Sequence, residues 1–117
     1  MRNDKTAGLI SIAQKAGALA SGSYAVEQAV KNGSACLVIL AGDASETTAK
    51  KVRNMTRFYE VPLCTWADRE RLGACIGKEY RSAAAVTQPG LADAIRKQLE
   101  TVEYNRSVDR EEEEWQK

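Results

Sequence analysis

Apolar positions along this chain fall into two patterns: an i, i+3, i+4 spacing that marks one face of a helix, and short unbroken runs that mark buried strands. The clearest case spans Ser21 to Glu46. There SGSYAVEQAVKNG puts Val26, Ala29 and Val30 on one helical face, and Gly33 supplies the left-handed residue that ends the helix. The run Cys36 to Ala41 has no polar side, so it must be covered on both faces, as a central strand of an α/β sheet is. Asp43 and Glu46 then fit an N-cap and its capping-box partner for a second helix, with Ser45 as a rival cap.

The same reading extends along the chain. A first helix over about Asp4 to Ala16 turns Leu9, Ile10, Ala13 and Ala16 inward and closes at Gly17, and Ala18 to Ala20 fits a short strand. The helix from Gly22 to Asn32 leads into the central strand. A third helix, Ser45 to Tyr59, buries Ala49, Val52, Met55 and Tyr59 and turns Lys50, Arg53 and Arg57 the other way. Val61 to Trp66 reads as a second strand, with Pro62 tolerated near its start. Asp68 caps a short helix ending at Gly77, and Lys78 to Arg81 forms a polar loop. Ser82 to Thr87 is a third strand, Gln88, Pro89 and Gly90 make a turn, and Leu91, Ile95, Leu99 and Val102 mark a last helix. Strand and helix in alternation imply parallel pairing through right-handed crossovers. The expected class is therefore α/β, a three-layer α/β/α sandwich with a small, mostly parallel mixed sheet.

Length and charge refine this picture. A chain of 117 residues has room for one hydrophobic core, so residues 1–102 are read as one domain and residues 103–117 as an acidic, disordered tail. From residue 100 onward there are seven acids against three bases, net −4; the whole chain carries +1, which leaves +5 on residues 1–99. A moderately basic domain of this kind fits a polyanionic partner. Cys36, Cys64 and Cys75 form no C-x-x-C pair and sit in apolar segments, as small core residues do rather than metal ligands. No apolar run approaches a membrane span, and MRNDKTAG lacks the apolar segment of a signal peptide, so a cytoplasmic protein with no membrane partner is expected.

Catalytic chemistry finds little to work with. The chain has no histidine, the commonest general base near neutral pH, and no nucleophile or carboxylate has an obvious activating neighbour. Gly42 and Asp43 fall at the carboxyl end of the central strand, where open α/β sheets bind small ligands, but no G-x-G-x-x-G or P-loop accompanies them. No catalytic residue, metal, cofactor or small-molecule substrate is expected. An RNA-binding reading rests on three places. Gly22, Ser23, Tyr24 and Ala25 begin a helix whose unpaired N–H groups attract phosphate, and Tyr24 either stacks on a base or closes the helix end as a partly buried aromatic. Ser45 lies at the mouth of the third helix, and the loop Lys78, Glu79, Tyr80, Arg81 supplies charge and a second aromatic. Lys15 and Lys31 would add charge nearby.

Gly22 followed by a helix, then NGSACLVILAGDAS, RERLGACIGK and AAAVTQPG in that order, resembles the kink-turn-binding ribosomal protein superfamily of the archaeal L7Ae and L30e type, and within it the bacterial YlxQ-like branch. The resemblance covers roughly residues 6 to 99. It implies that the helix and loop ends just named converge on an RNA kink. In such proteins the helix begins with Gly, one residue, Asn and Glu, with a Lys three positions later, and the Asn and Glu read the edges of sheared G·A pairs. Here those slots hold Tyr24, Ala25 and Gln28. Alanine can neither donate nor accept, so the polar reading is lost at that slot, and Arg81 matches the family's loop arginine if the loop is one residue longer. The resulting expectation is a non-catalytic, monomeric RNA-binding protein of the ribosomal kind, acting in or beside translation on structured RNA, ribosomal RNA included. The alternative is a protein-interaction module that kept the fold and lost the RNA site, with Lys50, Arg53 and Arg57 a solvated helix face.

Overall fold

Side chains of a strand alternate between the two faces of a sheet, and in the computed structural model of this chain, which describes residues 4–99, that alternation sorts the core into two layers. The elements in order are α1 (Asp4–Lys15), β1 (Leu19–Ser21), α2 (Ser23–Lys31), β2 (Leu37–Leu40), α3 (Glu46–Phe58), β3 (Leu63–Thr65), α4 (Arg69–Cys75) and β4 (Ala83–Val86); a last helix, α5, covers 89–99. Leu37, Ile39, Ala84 and Val86 pack on one face of the sheet against Ile10, Leu72, Ile76, Ala92 and Ile95. Val38, Leu40, Ala83 and Ala85 pack on the other against Val26, Ala29, Val30, Ala49 and Val52. Helices α1, α4 and α5 thus cover one side and α2 and α3 the other, giving the three-layer arrangement expected. Both interior strands are buried at every residue, and each fully buried Leu or Ile contributes about 1.5–3 kcal/mol.

The strands lie in the order β1-β4-β2-β3. Strand β2 is interior, as its two-sided apolar run predicts, and pairs in parallel with β3. Three strands run in one direction, but β4 runs the opposite way and sits between β1 and β2, so both of its ladders are antiparallel. The sheet is mixed, as expected, yet the parallel crossover anticipated between β3 and β4 does not occur. Helix α4 has only seven residues, about 10 Å of helix. It leaves the chain at the end of the sheet where β3 finished, and the only way back across is antiparallel.

Several local expectations are corrected. Ser45, not Asp43, caps α3: its hydroxyl accepts from the Thr48 N–H at 3.2 Å. Asp43 instead accepts from the Arg69 N–H at 2.8 Å and pairs with the Arg69 Nε at 3.5 Å, tying the β2–α3 loop to the start of α4. In α1, Ile10 and Ala13 are buried but Ala16, just past the helix end, is exposed, and Thr6 takes an inward place. In α3, Thr56 is buried and returns its hydroxyl to the Val52 carbonyl at 2.8 Å, whereas Tyr59 lies past the helix end and is exposed. Pro89 and Gly90 form the first turn of α5 rather than a separate turn. Proline suits that first position because it needs no N–H there, and the Gln88 side-chain oxygen accepts from the Leu91 N–H. Val102 and the acidic segment 103–117 lie outside the described residues.

Candidate nucleic-acid interface

Because β1, β2 and β3 run the same way, their carboxyl ends share one end of the sheet, and the helices that follow them, α2, α3 and α4, all begin there. Helix N-termini carry unpaired N–H groups and a partial positive charge. This end of the molecule is therefore electropositive before any side chain is counted.

Gly22 links β1 to α2 with φ 94° and ψ 155°, a combination that is essentially glycine-only. Its N–H donates to the Ala83 carbonyl at 3.3 Å, and no side chain caps the helix it precedes. The N–H groups at the start of α2 are thus not occupied by a cap of their own. Ser23 and Tyr24 follow, both exposed; the Tyr24 ring is 77 % accessible. Tyr24 therefore does not close the helix end as a partly buried aromatic. Ala25 is half-buried, and Gln28 is exposed one turn further along the Tyr24 face.

The loop after α4 folds back onto that helix. The Lys78 N–H donates to the Gly73 carbonyl at 2.8 Å and the Arg81 N–H to the Arg69 carbonyl at 3.0 Å. The Arg81 side chain turns toward β1, with Nη1 donating to the Tyr80 carbonyl at 2.8 Å and Nε reaching the Ser21 hydroxyl at 3.5 Å. The Arg81–Ser21 contact brings the loop beside the start of α2, with Tyr80 57 % exposed. Ser45 joins the same end through the Ala41 N–H, which donates to the Ser82 carbonyl at 2.8 Å. Between α2 and α3 lies a cavity of about 160 Å³ lined by Ser23, Val26, Thr47, Thr48, Lys51 and Ala83.

The structure thus brings together Gly22, Ser23, Tyr24, Ala25, Ser45, Tyr80 and Arg81, with Lys78 on the outer side of the same loop. Lys31 is not at the helix start. It stands eight residues after Ser23, about 12 Å along α2, and its ammonium is 2.7 Å from Glu27. Lys31, and Lys51 at 3.1 Å, hold the Glu27 carboxyl below its ordinary range. Lys15 precedes β1 and so lies toward the opposite end of the sheet. Sequence reasoning missed Ser21, the partner of Arg81, and the Thr47, Thr48 and Lys51 lining. The Ser45-x-x-Thr48 spacing was a usable signal for part of that lining.

No group of three or more potential metal-ligating side chains occurs among the described residues. The three cysteines are half-buried and form no disulfide with one another, and burial pushes the Cys75 thiol up. No helix among the described residues is long and apolar enough to cross a membrane.

Comparison with known proteins identifies the family and the fold. The profile of the Ribosomal protein L7Ae/L30e/S12e/Gadd45 family matches residues 4–96. The chain belongs to this family. It is 40 % identical to the RNA-binding protein YlxQ of Bacillus subtilis (strain 168) over 87 residues, 74 % of this chain and 87 % of that protein. It is 32 % identical to the RNA-binding protein YlxQ of Enterococcus faecium over 96 residues, 82 % of this chain and 92 % of that protein. A Bacillus halodurans protein of unknown function superposes with a TM-score of 0.79 at 32 % identity, covering 82 % of this chain and 97 % of that one. The Giardia lamblia 15.5kD RNA binding protein shares the fold, with a TM-score of 0.73 at 19 % identity over 88 % of each chain.

Proposed function

We propose that the chain is a non-catalytic RNA-binding protein that holds structured RNA at the shared end of α2, α3 and the Lys78–Arg81 loop, acting in the cytoplasm in or beside translation, with ribosomal RNA among its targets. The observation that carries the reading is the contact of Arg81 with Ser21, which brings the loop that bears exposed Tyr80 beside the uncapped start of α2 and its exposed Tyr24. Phosphate would sit against the α2 N–H groups, as anions do at helix N-termini, and bases against Tyr24 and Tyr80. Two relatives carry RNA binding in their names, and membership of a ribosomal protein family supports the same partner. With Ala25 lacking any polar atom, recognition would rest on backbone contacts and stacking more than on reading G·A edges.

The test is salt dependence. Removing one cation from a phosphate lowers the slope of log K against log salt by about 0.7–0.9. Lys78→Ala with Arg81→Ala is expected to weaken binding to a hairpin carrying an internal loop and to lower the slope by about one unit for each phosphate no longer neutralised, with the melting temperature followed in parallel. Unchanged affinity and slope in this folded double variant would remove the loop from the site.

A further inference from the structure

The outer face of α3 is the most strongly charged surface not used above. Between Glu46 and Phe58 the helix carries Lys50, Lys51, Arg53 and Arg57 against the single acid Glu46. Lys51 is engaged by Glu27 across the α2–α3 groove. Lys50, Arg53 and Arg57 form no ion pair among the described residues. At 100° per residue they fall within about a 60° arc, opposite Val52 and clear of the buried Ala49 and Thr56, over about 10 Å of helix. With Asn54 they line a shallow open groove whose one acid, Glu46, is at its N-terminal end. At the other end Phe58 is 77 % exposed, fixed edge-on against Tyr59 at 4.9 Å between centroids and an interplanar angle of 78°. An exposed phenylalanine has no polar tip to justify its place in water, and this one directly follows Arg57, about 100° further round the helix.

A basic track ending in an exposed aromatic is the arrangement that holds single-stranded nucleic acid: cations follow the backbone and a ring stacks on a base. The track also begins where the proposed RNA site ends, since Thr47 lines both the α2–α3 cavity and this groove. We infer that the outer face of α3 is a second RNA contact, which takes a single-stranded segment flanking the structured element, with Lys50, Arg53 and Arg57 on successive phosphates and Phe58 under a base. This rests on the RNA-binding reading above and extends it from a point contact to a path.

The experiment compares, by fluorescence anisotropy, an internal-loop hairpin with the same hairpin bearing a ten-nucleotide uridine extension, and with the uridine decamer alone. For the wild-type protein the extension is expected to tighten binding about tenfold at low salt. Lys50→Ala, Arg53→Ala and Arg57→Ala together should abolish that gain, leave the bare hairpin nearly unaffected, and lower the salt slope on the extended RNA by about two units, at about 0.7 per single-strand phosphate. Phe58→Ala should lose part of the gain and Phe58→Trp keep it. All four positions are exposed, so unchanged melting is expected and is measured. No gain from the extension, or a gain that survives the triple substitution, overturns the α3 surface while leaving the hairpin site standing. If the wild type ignores the hairpin but binds the decamer through these residues, the α3 surface stands and the first reading fails.

Discussion

Tyr24→Ala is expected to weaken binding to structured RNA by about 5- to 150-fold, the equivalent of about 1–3 kcal/mol for one base stacked on an aromatic ring, and to leave stability within about 0.5 kcal/mol of wild type. Both halves come from the same fact: the ring is 77 % exposed and belongs to neither core cluster. Truncating a side chain that touches little leaves no cavity, and surface substitutions of that kind usually cost little. Tyr24→Phe should retain most of the affinity, because the face that stacks is unchanged. Titration of a labelled hairpin, together with thermal melting, separates the outcomes. Wild-type affinity in the folded Ala variant would exclude stacking by Tyr24, and a large fall in melting temperature would mean the ring supports the helix start after all. The complementary change, Tyr24→Asn with Ala25→Glu, installs a polar pair at the start of α2 and should raise the preference for a kink-turn over a plain duplex. Ala25 is half-buried; no gain in preference in a variant that melts like the wild type would point to the loops around these slots.

Which helical faces are buried was legible because burial and periodicity are the same constraint. Val26, Ala29 and Val30 repeat at helical spacing and are all buried, and Cys36 to Ala41 announced an interior strand. The direction of β4 was not legible, because it depends on how far α4 carries the chain, and strand polarity leaves no trace in an all-apolar run such as Ala83 to Val86. Ends of helices are less legible for a related reason. Tyr59 continues the apolar phase of α3 but falls beyond the sheet that would bury it, while Thr56, polar in composition, satisfies its hydroxyl within the helix and goes inside. Asp43 and Ser45 are equally good caps on paper. Only the approach of α4, whose Arg69 N–H and guanidinium both meet Asp43, decides between them.

The candidate site was partly legible. Gly22 before a helix, and a charged loop after a short one, were visible as motifs, but their meeting depends on β4 pairing with β1, which sets Ser21 opposite Ala84. Lys31 is near the site in sequence only. Helical rise carries it to the far end of α2, and Glu27 one turn earlier takes its charge.

Gly73→Ala should destabilise the protein by about 2 kcal/mol and loosen the Lys78–Arg81 loop, although by helix propensity alone it should help. Gly73 lies inside α4 with ordinary helical geometry, where alanine is favoured by about 1 kcal/mol. A Cβ there, however, would sit 2.9 Å from the Glu79 carbonyl carbon and oxygen and 2.9 Å from the Lys78 carbonyl oxygen. These are backbone atoms, so no rotamer change relieves the contact and the loop itself must move. Overpacking of this kind costs about 1–3 kcal/mol, and moving the loop strains the bond from the Lys78 N–H to the Gly73 carbonyl, a further ~1 kcal/mol. The clash therefore outweighs the propensity. A domain of this size would melt about 8–16 °C lower, and the loss of RNA affinity should resemble that of Lys78→Ala with Arg81→Ala, since Arg81 is anchored to the same helix through the Arg69 carbonyl. Gly8→Ala is the control. It too replaces a glycine within a helix, but nothing lies within 4 Å of the added carbon, so the propensity term acts alone and the variant should gain about 0.5–1 kcal/mol. Opposite signs for the two substitutions in denaturant unfolding would establish that the loop rests directly on α4; a gain in both would show that the loop yields freely and that its position does not depend on the glycine.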